Sequence, residues 1–227
     1  APIIELSSDG ETIERLKDKE ALKTSILTIQ RTSMIRNGLI RKKSSEEDEI
    51  TFDLFRPAEK TSRYTLFIID QKSTRKMKEY AAFVCPNGRE TEWLFSTKEG
   101  RRKLLESSQH ARLALIIMHR NQSYTSIEEI KSEINETVKS FAPKDIKDMS
   151  KIPFLSLGTS DIGSRNVIFK ATSGLSGDFI VEDVTVDDQI FRRLIFMNNQ
   201  NVIQSEARLK RLKKKVVVDH NDLSCQH

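Results

Sequence analysis

A chain of 227 residues, 37% hydrophobic and 31% charged, can bury one large core or two small ones and has a globular rather than fibrous or disordered composition. The formal charge of +5 is concentrated in RLKRLKKK at 208–215, so a global nucleic-acid-binding face is not indicated. No run of about 18 apolar residues occurs, so no membrane span is expected.

The N-terminus has no basic leader followed by a long apolar core, so no secretory signal is read there. It also lacks a starting Met, which fits a segment of a longer protein. Cys85 and Cys225 are far apart and neither belongs to a CxxC pair, which suits a reducing compartment. Cytoplasm is the expected location.

In chain order, residues 11–30 carry Ile13, Leu16, Ile26 and Leu27 among Lys and Glu and predict an imperfectly amphipathic helix. RKKSSEEDE at 41–49 predicts a charged linker. Strands are predicted over 51–56, 64–70 and 80–85, where aromatic and β-branched residues gather. Pro86-Asn87-Gly88 reads as a turn, and TEWLF at 91–95 as a short strand. Ser96 with Glu99 has capping-box spacing for a helix to about Ser107, weakened by Gly100. RLALIIMHR at 112–120 predicts a strand buried on both faces. Ile127, Ile130, Ile134, Val138 and Phe141 then recur at helical spacing, with Thr125 or Ser126 as the cap and Pro143 as the stop.

Beyond Lys151 the texture changes to short strands punctuated by glycine, predicted at 166–171, 179–184, 192–198 and 202–206. Phe191–Leu209 (FRRLIFMNNQNVIQSEARL) predicts a hairpin, because Asn198-Asn199-Gln200-Asn201 tolerates the left-handed backbone that such turns need. The fold class expected is α+β. It divides into a helical lead-in and linker over 1–50, a mixed α/β unit over 51–147 and a mostly β unit over 148–227.

Candidate sites are sparse. FLSLGTSDIG at 154–163 invites comparison with the glycine-rich loop that holds S-adenosylmethionine, but SRNVIFKA after it reads as strand where that loop needs a helix, so a plain glycine turn is favoured. PNGRETEWLF at 86–95 reads as a turn with a surface ion pair and a buried Trp rather than a ligand clamp. His220, Cys225 and His227 lack a fourth ligand, so no metal site is assigned. RLKRLKKK has no interleaved aromatics for base stacking and reads as a solvated loop before Val216–Val218, with phosphate binding the alternative. No catalytic residue and no Ser/His/Asp arrangement can be argued.

Several stretches taken together carry a resemblance: PNGRETEWLF with EGRRKLL, IPFLSLG, DIGSRNV, LSGDFIVEDV, FRRLIFMNNQNVIQSEARL and DHNDLSCQH, in this order. They resemble the dual methyltransferases of translation elongation factor 1-alpha, a methyltransferase-like family. The match runs from about Tyr64 to His227, and Asn221-Asp222-Leu223 departs from it where relatives tend to have an aromatic.

The resemblance implies a parent with two S-adenosylmethionine-dependent domains, one modifying a lysine of the elongation factor and one its N-terminal amine. This chain looks like the region between them plus the hairpin that opens the second, spermidine-synthase-like domain. It is therefore expected to be inactive alone and not to bind the cofactor by itself. Expected partners are the flanking methyltransferase domains and the elongation factor, with self-association through the hairpin region implied by likeness to spermidine synthases. By the same likeness Gln204, the Gln of the VIQ strand, would contact the nucleoside cofactor. The alternative is that Gln204 faces solvent on an edge strand. A stand-alone module docking on RNA or a translation partner through the basic run is the rival reading.

Overall fold

The computed structural model describes residues 4–6, 13–38, 49–55, 61–72, 76–143, 146, 148–157, 162–212 and 215–218. The architecture is α+β, as expected. It opens with β1 (Ile4–Leu6) and β2 (Glu14–Leu16), which pair antiparallel, and α1 (Lys19–Gly38). The lead-in helix thus starts later than its sequence pattern predicts. Ile13, Ile26 and Leu27 are exposed, so that pattern does not report a packed face.

Two five-stranded sheets make up the rest. The first is built from β3 (Glu49–Phe55), β4 (Ser62–Asp70), β5 (Lys78–Val84), β6 (His110–Met118) and β7 (Phe154–Leu155), in the order β3-β4-β6-β5-β7. β3, β4 and β6 pair antiparallel, while β5 runs parallel to both β6 and β7. The first sheet therefore draws its last strand from beyond the expected boundary at 147/148.

Alternation along the central strands sends side chains to two cores. Tyr80, Ala82, Val84, Ala114 and Ile116 meet Ile127, Ile130, Ile134 and Val138 of α4 (Ile127–Ser140) on one face. Ala81, Phe83, Leu113 and Leu115 meet Leu104 and Leu105 of α3 (Lys98–Ser108) on the other. A strand covered on both faces reads as a continuous apolar run, which is what RLALIIMHR shows. Ser126 caps α4, its hydroxyl accepting from Glu129 N–H at 3.2 Å, while the Glu129 carboxylate accepts from Thr125 N–H at 2.7 Å. Arg112 is fully buried yet satisfied: its guanidinium holds Asp70 at 2.6 and 2.8 Å and donates to Phe141 O.

TEWLF departs from expectation. Trp93–Ser96 forms a short helix, α2, that runs directly into α3, and Trp93 is exposed rather than buried. The α3 cap is Thr97, whose hydroxyl accepts from Gly100 N–H at 3.0 Å, one residue past the predicted Ser96. Gly100 is required here by close approach. A Cβ at that position would lie 1.9 Å from Trp93 O, so the α2–α3 corner closes only on a hydrogen.

The second sheet is an antiparallel meander of β8 (Arg165–Ser173), β9 (Gly177–Val186), β10 (Gln189–Phe196), β11 (Ser205–Leu212) and β12 (Lys215–Val218). Asp187 and Asp188, both at positive φ, form the tight β9–β10 turn, the left-handed pair that a two-residue hairpin demands. The predicted second hairpin is present, with Leu194 opposite Ser205. Its connection is longer than NNQN: Val202 and Ile203 lie in it, and the returning strand starts at Ser205. The described part of the basic run is strand and not loop: Arg208–Leu212 belongs to β11, paired with β10 and β12, and Lys215 opens β12.

Gly100→Ala should destabilise the chain by about 1–3 kcal/mol, the usual cost of overpacking. A urea midpoint that falls without a change in slope is the expected result.

Candidate functional site

The loops that leave β5 and β6 define the most informative place in the molecule. The chain after β5 turns toward α2 and α3 on one face, and the chain after β6 turns toward α4 on the other. Neighbouring parallel strands whose connections diverge in this way open a crevice at their carboxyl ends, where α/β sheets bind ligands. Here that crevice is filled by the second sheet.

Four buried charges close it in a ring, alternating in sign and drawn two from each unit. Glu90 and Arg120 come from the loops after β5 and β6, and Arg165 and Glu182 from β8 and β9. Arg120 Nη1 donates to Glu182 Oε1, and Arg165 Nη2 donates to Glu90 Oε1. The ring is completed by two ion pairs without hydrogen-bond alignment, Arg165 Nε with Glu182 Oε2 at 3.0 Å and Arg120 Nη2 with Glu90 Oε2 at 3.5 Å. Side-chain exposures run from 0% for Glu182 to 7% for Glu90.

Polar neighbours satisfy the remaining groups. Gly88 N–H donates to Glu90 Oε2 at 3.1 Å, and Arg165 Nη1 donates to Asn87 Oδ1 at 3.2 Å. A second guanidinium from the meander, Arg193, donates to Gly88 O while holding Glu206 at 2.5 Å. Burial alone would raise the Glu90 carboxyl, but Arg165 and Arg120 outweigh it and hold it below the usual carboxylate range. Arg165 loses by burial and gains more from Glu90 and Glu182, so it is held more firmly charged than usual.

Cavities flank the ring on both sides, each reaching Arg120. One, of about 310 Å³, lies under the β10–β11 connection and is lined by Phe67, His119, Gln200 and Asn201 among others. In it Thr65 Oγ1 donates to Asp53 at 2.6 Å and meets His119 Nε2 at 2.8 Å. Burial pushes the His119 imidazole toward its neutral form, and Asp53 only partly offsets this. The other, of about 650 Å³, is polar and lined by Asn87, Asn121, Tyr124, Asn166 and Lys170 among others.

Of the residues singled out in the sequence, Gln204 ends the β10–β11 connection. Its N–H donates to Leu194 O at 2.9 Å and its side chain is exposed. It does not line either cavity beside the ring, whereas Gln200 and Asn201 from the same connection line the smaller one. Of the 154–163 stretch, Phe154–Leu155 is β7 and 158–161 lie outside the described residues; Gly163 sits at φ +75°, where a Cβ would come 2.7 Å from Asn87 O, and the chain then enters a strand. Gly158, His220, Cys225 and His227 lie outside the described residues. In PNGRETEWLF the surface pair is Arg89 with Glu92 at 2.6 Å, while Glu90 belongs to the buried ring. Among the described residues no helix is long and apolar enough to cross a membrane.

The ring escapes a reading of the sequence, although one signal points to it. Glu182 stands between Ile180 and Val184 on the inward side of an alternating strand, a place where a charge survives only with partners.

Fold and site together define an α+β protein: a mixed sheet covered on both faces, its ligand crevice closed by a meander. The chain is 40% identical over 231 residues to an eEF1A lysine and N-terminal methyltransferase homolog of Drosophila pseudoobscura pseudoobscura, covering 100% of this chain and 34% of that protein. Proteins named eEF1A lysine and N-terminal methyltransferase show 44% identity in Xenopus laevis, over 79% of this chain and 26% of theirs, and 39% in Homo sapiens, over 86% and 28%. The resemblance read from the sequence is thus shown. The similarity to the fly proteins runs along the whole of this chain, which spans about a third of their length and a little over a quarter of the vertebrate ones. No family model matches, and no solved structure matches.

Arg120→Ala should cost about 3–5 kcal/mol, because it leaves the buried Glu90 and Glu182 sharing the one guanidinium of Arg165. Replacing Arg120 and Glu182 together by Met should cost less, which a denaturant double-mutant cycle resolves. The depressed Glu90 carboxyl supplies stability that is complete above about pH 4.3 and lost as pH falls through its lowered folded value. In Glu90→Gln that component of acid unfolding should vanish from a circular-dichroism titration.

Proposed function

We propose that this chain is the connecting region of a longer, bifunctional protein methyltransferase acting on a lysine and the N-terminal amine of eEF1A. Its role is to hold two catalytic domains in a fixed relation and to present the β10–β11 hairpin to the second. Methyl transfer needs an amine aligned with a sulfonium carbon. A rigid spacer can therefore govern the rate without touching the reacting atoms.

The observation that carries this reading is the closed crevice. Where an α/β sheet would receive a nucleotide-like cofactor, the chain has placed its own meander and neutralised the site internally. S-adenosylmethionine, the methyl donor expected of the parent, does not fit the residues here. The glycine turn at 162–164 leads into a strand with no helix N-terminus behind it, and the carboxylates Glu90 and Glu182 are committed to arginines. No methyl-transfer step is therefore routed through this chain's own residues. Likeness to methyltransferases across the full chain, at a third of their length, supports assigning the cofactor sites to other parts of the parent. Gln204, exposed where the β10–β11 connection meets the returning strand, is the group through which the hairpin would reach a cofactor held by the following domain.

Calorimetric titration of S-adenosylmethionine into the 227-residue chain should give no binding heat. Micromolar binding would overturn the reading. In the full-length enzyme Gln204→Ala should weaken cofactor binding or N-terminal methylation while leaving lysine methylation unchanged, and unaltered kinetics at both sites would remove Gln204 from the mechanism.

A further inference from the structure

We infer that the outer face of the meander, at the end where the β8–β9 and β10–β11 connections meet, is a docking surface for the remainder of the same polypeptide; the inference rests on the connecting-region reading. In β9, Ile180, Glu182 and Val184 are buried against the first unit, so Phe179 and Val181 point the other way. Strand register extends that outer face. Phe196 stands opposite Phe179 and Leu194 opposite Val181 on one side, with Ala171 and Phe169 opposite the same two residues on the other. Phe169, Phe179 and Phe196 form a row with ring centroids 6.1 and 6.4 Å apart.

The two turns at that end lie together, since Met197 N–H donates to Asp178 O at 2.8 Å. Exposed apolar side chains gather there: Leu175 at 101% and Val202 at 50% in the two turns, beside Phe169 at 53%. A patch of this kind marks an interaction site more often than a free surface. Charge does not oppose its burial, because the charged pair on this face, Arg192 and Asp183, is joined by two bonds of 2.8 Å.

The occupant follows from supply. An exposed apolar sheet face gains by being covered, and the first unit covers only the opposite face. Proteins similar to this chain along its whole length have about two thirds of their residues outside the matching stretch. Covalent linkage holds such a domain at an effective concentration on the order of millimolar. At that concentration an apolar face with few directional contacts is enough.

Hydroxyl-radical footprinting of the full-length polypeptide, at a concentration where light scattering finds a monomer, tests this. Phe169 and Phe55 are equally exposed at 53%, so equal oxidation is the outcome without docking. Docking should slow Phe169 several-fold, and Leu175→Asp, at a turn tip where no packing is lost, should restore its rate. Phe169 oxidation that is the same in the wild type and in Leu175→Asp overturns the inference. Protection that appears only when concentration drives dimerisation assigns the face to a second copy and also overturns it. So does protection that requires added elongation factor. The readout involves neither methylation nor cofactor binding, so its failure leaves the connecting-region reading to be judged by the titration.

Discussion

The contact that makes these two sheets one body centres on the ring of Glu90, Arg120, Arg165 and Glu182. Each charge is taken out of water, a change that costs several kcal/mol per ion, and the ring recovers this only because every member meets opposite charge from two sides. Such an arrangement tolerates little displacement. If the meander moved by the length of a water molecule, the two hydrogen-bonded pairs between the units, Arg120 with Glu182 and Arg165 with Glu90, would part, and each unit would keep only its own less well aligned contact. Apolar contact alone would let the sheets slide, whereas the ring fixes their register. For a region whose proposed work is to set the distance between two catalytic domains, fixed geometry matters more than added stability.

The first sheet explains why the ring sits where it does. Because α3 and α4 cover opposite faces, the loops after β5 and β6 diverge and leave polar backbone around Asn87 and Gly88 facing outward. In a nucleotide-binding domain that backbone would address a phosphate or a ribose. Here Arg165 and Arg193 address it instead, one through Asn87 and the other through the Gly88 carbonyl. A fold suited to holding a small molecule is in this way used to hold a protein layer.

Much of this architecture is legible in the amino-acid sequence. The spacing of Ile127, Ile130, Ile134 and Val138 defines α4 because each faces one sheet, and RLALIIMHR reads as a doubly covered strand because both its faces are indeed covered. The NNQN signal locates the hairpin. What sequence patterns miss, they miss for identifiable reasons. TEWLF has strand composition, but Gly100 lets two helices meet at a corner, and tertiary contact overrides propensity there. RLKRLKKK reads as a loop by charge alone, yet alternate residues of a strand can carry lysine and arginine when its neighbours supply the pairing. The ring is hidden because its members lie up to 92 residues apart in sequence, from Glu90 to Glu182, and no local pattern records a partner at that range. The proposed cofactor contact of Gln204 has no counterpart in local sequence pattern, and resemblance alone points to it.

The two-and-two division of the ring has a temporal meaning as well. On the ribosome, Glu90 and Arg120 emerge well before Arg165 and Glu182, and until the later pair arrives the earlier one has only a 3.5 Å contact with itself. Meander hairpins form from local contacts and so assemble quickly once made. The first sheet, despite having all its strands by Leu155, must therefore wait with an open crevice for the nascent β9. Synthesis through Glu182 supplies the last member of the ring, and before it the crevice has no cover from β9.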